Sequence, residues 1–176
     1  RYEQQGQAEQ PYPSNAADAP RVGAGYRFQR ATPNATDTLP LEGLGNPYAR
    51  TGMSRSPLRP SDDAAILQFP IGANAMAAVM LRRIGDMLRA LRIGVELAAD
   101  AEILAAELDA GIRAHAIIHA HDIGQSRPDV LGAIMFAYEV DGFGSALMMD
   151  DAGPPNLIAL PYLGYWLADD PIYQNT

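Results

Sequence analysis

The chain has no cysteine and no lysine among its 176 residues. The first absence excludes disulfides, thiolate metal sites and a cysteine nucleophile, and it leaves the compartment open, because proteins of either redox environment can do without cysteine. The second leaves arginine as the fixed cation, 13 against 21 carboxylates, for a net charge of -8. Eleven of those arginines lie in residues 1–92, whereas residues 93–176 hold two arginines against 13 acids. A nucleic-acid partner requires a basic stripe, which scattered arginines do not make, and the acidic second half would repel phosphate. An acidic cleft suits neutral or cationic ligands. Long apolar runs are also missing: the stretch 70–81 is broken by Gly72 and Asn74 and falls short of the roughly 20 apolar residues a membrane span needs. No basic start with an apolar core marks a signal peptide. Neither a G-x-S-x-G elbow nor a glycine-rich phosphate loop occurs, and the "GAG" at 23–25 follows no strand-like run.

What is present reads as a globular chain, 48% hydrophobic, long enough for one domain with a core. Residues 1–20 are rich in Gln, Ala and Pro and read as a poorly structured N-terminal segment. Residues 21–60 are dense in Gly, Pro, Thr and Asn, a long irregular region whose aromatic and Arg residues favour an ordered, site-forming loop. The spacing then predicts a helix over 73–91, with Met76, Met80, Ile84, Met87, Leu88 and Leu91 as its core stripe and Gly94 as its stop. A second helix over 97–116 carries Ala101, Leu104, Leu108, Ile112 and His115 on one side, and the two form an antiparallel hairpin. "GQSRPD" reads as a loop, "AIMFAYEV" as a strand-like run and "DGFG" as a turn. "PPNLIALPYLGYW" reads as a short helix ended by Pro161 and Gly164. In "DDPIYQNT", Asp170 is a good N-cap and Pro171 a good first helical residue. That start signal, one turn before Thr176, leads us to expect the natural sequence to continue, as the non-Met Arg1 leads us to expect an earlier start.

Three acidic pairs recur: Asp62 with Asp63, Asp150 with Asp151, and Asp169 with Asp170. Capping accounts for Asp170, and loop ordering accounts for Asp151 as well as function does. Asp62 and Asp63 precede the first long helix by some ten residues, so capping explains them poorly. Two carboxylates so close in a dry site disfavour each other's charge, while a neighbouring cation such as Arg59 holds one ionised. That arrangement suits a general acid, and glycoside hydrolysis needs one carboxyl to protonate the leaving oxygen and a second to activate water or attack. "YEVDGFG" adds Glu139 and Asp141, two apart on one strand face beside a glycine turn, where ion pairing explains them as well as ligand binding does. Seven of the 13 aromatics lie between Phe136 and Tyr173, and carboxylates mixed with aromatics are what a sugar pocket requires. His115, His119 and His121 with Asp122 have partial zinc-like spacing, but no Glu sits between them and His115 continues an apolar stripe, so no metal site is expected. The sequon Asn34-Ala35-Thr36 matters only in a secretory host.

The segments "GYRFQR", "DTL", "RPSDDA", "YEVDGFG", "LMMDDAGPPNLIALPYLGY" and "DDPIYQN", in this order, span Gly25 to Asn175. In this combination the chain resembles glycoside hydrolase family 125, the exo-acting α-1,6-mannosidases. The resemblance implies a mainly α fold, here an incomplete (α/α)6 barrel over residues 21–176 with long irregular loops and short strand segments. It implies cofactor-free, metal-independent hydrolysis of a mannose-containing oligosaccharide with inversion, and a general acid within "RPSDD", at Asp63 with Asp62 as the alternative. Arg59, Glu139, Asp141, Asp150 and Asp151 would line or support the pocket for the terminal mannose. The chain departs from the family at "PIGANAM", usually close to "IPANMF", and at "DDAGPPN", usually "DDANVPS", where Gly153 replaces Asn. The family's general base, a Glu in a "HESF"-like motif downstream of "DDPIYQN", has no counterpart here. The chain is therefore expected to lack the base and to be inactive alone. The alternative is a catalytically inactive helical module that binds mannosides or a protein partner.

Overall fold

The computed structural model describes residues 34–123 and 132–176. The N-terminal segment 1–20, the "GYRFQR" patch and the "GQSRPD" loop lie outside the described residues. Among the described residues before residue 69, the regular elements are a single 3-10 turn (Ala35–Asp37) and a one-turn helix α1 (Pro40–Gly43). The described residues 44–68 hold no further helix or strand, as their Gly and Pro content leads one to expect.

Two helices dominate. α2 (Ile71–Leu91) and α3 (Val95–His115) each have 21 residues, two residues earlier at the start than the spacing predicts in each case. They pack as an antiparallel hairpin joined by three residues. The turn is made by two left-handed residues in place of a lone glycine stop: Arg92 (φ 57°) closes α2 and Gly94 (φ 58°) opens α3. The predicted methionine-rich core stripe of α2 holds at Leu88, with Met76 and Met80 half-buried, and is corrected by the structure at Ile84, Met87 and Leu91. Its buried face is Ile71, Gly72, Asn74, Ala75, Ala78, Val79, Gly85 and Leu88, whereas Ile84, Met87 and Leu91 are 41%, 53% and 59% exposed. Small residues let the helices approach closely: a Cβ on Gly85 would stand 3.3 Å from the carbonyl oxygen of Ala98. On α3 the expected stripe holds for Ala101, Leu108 and Ile112, with Leu104 and His115 half-buried.

Short antiparallel strands flank the hairpin. β1 (Phe69–Pro70), β2 (Ile117–His119), β3 (Ile134–Phe136), β4 (Glu139–Val140) and β5 (Ala146–Leu147) form a three-stranded sheet in the order β1-β4-β5 and a two-stranded sheet β2-β3. The strand-like run is thus divided between the two sheets. Phe69 pairs with Val140 and Glu139 with Leu147, which carries Glu139 into the middle of its sheet. Ile71, Ala75, Leu108, Ile112, Phe136, Tyr138 and Leu160 form the shared core. α4 (Leu160–Leu163) ends at the left-handed Gly164, as read, but Pro161 sits in its first turn and helps start the helix where the sequence reading had it end. α5 (Pro171–Asn175) is capped by Asp170, whose side chain accepts from the Ile172 N–H at 2.8 Å. No described helix is long and apolar enough to cross a membrane.

Candidate active site

The stretch before α2 folds as a tight hairpin. The Ser56 N–H donates to the Gln68 carbonyl, the Ala65 N–H to that of Pro57, and Leu58 and Ala64 form an antiparallel bridge. At the tip the Asp62 N–H donates to the Arg59 carbonyl at 3.0 Å and the Arg59 N–H to the Asp63 carbonyl at 2.9 Å. Asp62 is left-handed, with φ 67°. This is the bonding of a three-residue hairpin loop, a type I turn followed by a left-handed residue. The residues suit it: Pro60 fixes φ at the first turn position, and Asp tolerates the left-handed region better than most side chains. The doubled aspartate therefore has two roles. Asp62 completes the turn with its side chain at the exposed tip, and Asp63 stands half-buried at the stem.

Two distant carboxylates grip this hairpin. Glu139 is completely buried and accepts four N–H groups. Arg59 Nε and Nη2 donate to its two oxygens at 2.7 and 3.3 Å, and the Ile66 and Leu67 N–H groups donate at 3.0 and 2.9 Å. Entry and exit of the hairpin are thereby tied to one side chain. The hydrogen bond to Glu139 raises the Arg59 guanidinium further above its usual value, and Arg59 lies 5.7 Å from the Tyr138 ring centre. Asp151, also buried, grips the tip. Its Oδ2 accepts from the Ser61 N–H at 3.2 Å, the Ser61 hydroxyl at 2.8 Å and the Tyr138 hydroxyl at 3.1 Å, and its Oδ1 from the Ala152 N–H at 2.7 Å. Burial pushes the Asp151 carboxyl up, but these donors, the Ser61 hydroxyl foremost, outweigh it and hold the group below the usual carboxylate range. The Tyr138 phenol is raised, first by burial and then by the Asp151 charge.

The remaining expected residues sit apart. Asp141 orders the glycine turn, accepting from the Phe143 and Ser145 N–H groups at 2.8 and 3.0 Å. Asp150 accepts from the Leu157 and Ile158 N–H groups at 2.8 and 3.1 Å. Asp150 also lines a cleft of about 560 Å³ walled by Phe136, Met148, Leu157 and Tyr173. Asp63 does not line this cleft; the adjacent pair links the two places, Asp150 facing the cleft and Asp151 the hairpin. Arg59, Asp63, Glu139 and Asp151 thus form one network, which Asp62 joins through its backbone. Ser61, inside the "RPSDD" motif, is the contact that sequence reading passed over. Among the described residues, no group of three or more His, Asp or Glu side chains is placed to hold a metal ion.

Residues 4–176 match the family of metal-independent α-mannosidases, GH125. The chain is 43% identical over 152 residues to the Meiotically up-regulated gene 157 protein of Schizosaccharomyces pombe, an alignment covering 86% of this chain and 28% of that protein. Its fold is similar to that of a Streptococcus pneumoniae metal-independent α-mannosidase, seen in a non-productive complex with α-1,6-mannobiose. That match has a TM-score of 0.76 and 38% identity, over 86% of this chain and 34% of the other. The chain thus spans about a third or less of either relative. With its hairpin and carboxylate network in place, the chain belongs to the metal-independent α-mannosidases of glycoside hydrolase family 125.

Proposed function

We propose that this chain carries the acid half of an inverting, exo-acting glycoside hydrolase that releases terminal α-1,6-linked mannose from mannosides or glycans. Residues 21–176 form part of its (α/α)6 barrel, with α2 and α3 as one helical hairpin of it. Asp63 gives its proton to the glycosidic oxygen as the bond from that oxygen to the anomeric carbon breaks. A water oxygen bonds to the anomeric carbon from the opposite face and loses its proton to a base supplied by residues outside this chain.

One observation carries the choice of Asp63. Glu139 and Asp151 each accept four hydrogen bonds, and Asp141 and Asp150 accept two backbone N–H groups each. N–H donors favour the ionised form of a carboxylate, so groups committed in this way are supports. Asp63 is spared such donors and has a long contact, 3.5 Å, with the Ser61 hydroxyl. In this reading Arg59, Glu139 and Asp151 hold the acid hairpin, Asp141 shapes the adjoining turn, and Asp150 orders the backbone at Leu157 and Ile158 behind Asp151. The mannobiose complex of the pneumococcal relative supports the substrate class.

The test is Asp63→Asn in the full-length parent protein. Turnover of α-1,6-mannobiose should fall by about two orders of magnitude or more with the circular dichroism spectrum and melting temperature retained, while Asp62→Asn stays within about tenfold of the parent. Unchanged turnover in Asp63→Asn contradicts the assignment. The chain alone, without its base, should release almost no mannose.

A further inference from the structure

We propose that Ser61 is a positioning residue for the proton donor, tethered by Asp151; this rests on the reading of Asp63 as the general acid. The Ser61 Oγ lies 2.8 Å from Asp151 Oδ2 and 3.5 Å from Asp63 Oδ2, so one hydroxyl stands between the two carboxyl groups. A serine hydroxyl has a single proton and two lone pairs. Asp151 is buried, accepts four donors and is held in its charged form, so it accepts the Ser61 proton and offers none. The Ser61 oxygen therefore turns a lone pair toward Asp63, where it accepts a hydrogen bond from the protonated carboxyl. The result is a directional chain, Asp63 to Ser61 to Asp151, ending on a fixed negative charge. The Arg59 guanidinium, which also acts on Asp63, is committed to Glu139 and does not displace this contact.

The tether is rigid at its far end. Asp151 holds both the N–H and the hydroxyl of Ser61, and is itself fixed by Tyr138 and Ala152. The turn holds Asp63 at a fixed offset from Ser61, because Arg59 bonds to the backbone of both Asp62 and Asp63. Ser61 thus sets the side-chain orientation of the acid without touching the reacting atoms.

The leaving group provides the test. The reducing-end mannose of α-1,6-mannobiose departs through its O6, which needs a proton, whereas the phenolate of 2,4-dinitrophenyl α-mannoside departs without one. In the full-length parent, Ser61→Ala should lower kcat on α-1,6-mannobiose about tenfold or more with KM within about threefold, and leave the rate on the dinitrophenyl mannoside within about threefold. Ser61→Thr, which keeps the hydroxyl, should recover most of the loss, and Asp151→Asn should reproduce the selective defect. Equal loss on both substrates would overturn the proposal by showing that Ser61 serves the fold alone. A mannobiose rate within about twofold of the parent, with Asp63→Asn inactive, would overturn it while leaving the acid assignment intact. Full mannobiose turnover by Asp63→Asn would remove the reading on which it rests.

Discussion

Removing the Glu139 side chain should unfasten the hairpin at both ends. In Glu139→Ala the Arg59 side chain, 9% exposed, loses a partner that is completely buried. Breaking a buried ion pair by deleting one member costs about 3–5 kcal/mol, because the remaining charge is left without compensation. The Ile66 and Leu67 N–H groups also lose their acceptor, at about 1–3 kcal/mol each where water does not replace it. These terms overlap, since a loosened hairpin admits water, so the expected net loss is about 4 kcal/mol. That is a large share of the roughly 5–15 kcal/mol that holds a typical domain together. Urea unfolding at neutral pH, followed by circular dichroism, reads it directly. Arg59→Met should be damaging for the same reason, and a cycle with Glu139→Gln should show a coupling of about 2 kcal/mol. Glu139→Ala within about 1 kcal/mol of the parent, or additivity in the cycle, would refute the clamp.

Three further perturbations separate other parts of the account. Gly72→Ala would normally favour a helix by about 1 kcal/mol, but its Cβ would stand 2.6 Å from the Pro155 carbonyl oxygen, so a net destabilisation of about 1–3 kcal/mol is expected; a raised melting temperature contradicts that packing. Asp151 and Asp109 both have depressed folded values; in Asp109, burial raises the group and the Tyr165 hydroxyl, Arg113 and Arg82 lower it by more. Their stabilisation is therefore full above the unfolded carboxylate value of about 3.9 and is lost as pH falls from there through the lower folded values. Asp151→Asn and Asp109→Asn should each flatten the acid side of a melting-temperature profile, and an unchanged slope contradicts the assignment. Asp170→Ala should cost about 1 kcal/mol, the worth of an N-cap, and fray α5 in hydrogen exchange without altering the exchange of α2 or α3.

What could be read from the sequence was what is local. The Asp170 cap with Pro171, the glycine end of α4 and both long helices are encoded within a few neighbouring residues, and they appear where expected within about two positions. The buried face of α2 was misread because periodicity counts large apolar side chains. Two helices in close approach bury Gly85, Ala75 and Ala78 and leave Ile84 and Met87 at the surface. The site divides the same way. "RPSDD" stands out in the sequence by its doubled carboxylate beside an arginine, and its turn type is legible afterwards from Pro60 and Asp62. The grip of Glu139 on Arg59 and of Asp151 on Ser61 spans 80 and 90 residues, and no local pattern reports it. Glu139 and Asp141 look equivalent in "YEVDGFG", yet one clamps the hairpin and the other orders a turn, a difference set by strand pairing.

The central claim, that this chain supplies the proton donor of an inverting α-mannosidase, is tested most directly by the anomer released. The full-length parent and this chain would each be mixed with the methyl glycoside of α-1,6-mannobiose, whose other product has no free anomeric centre, and the anomeric protons followed by NMR from the first minutes. The account predicts that the parent first releases β-mannose, which then mutarotates, and that the chain alone releases almost none. Initial release of α-mannose, or no release by the parent, would contradict it.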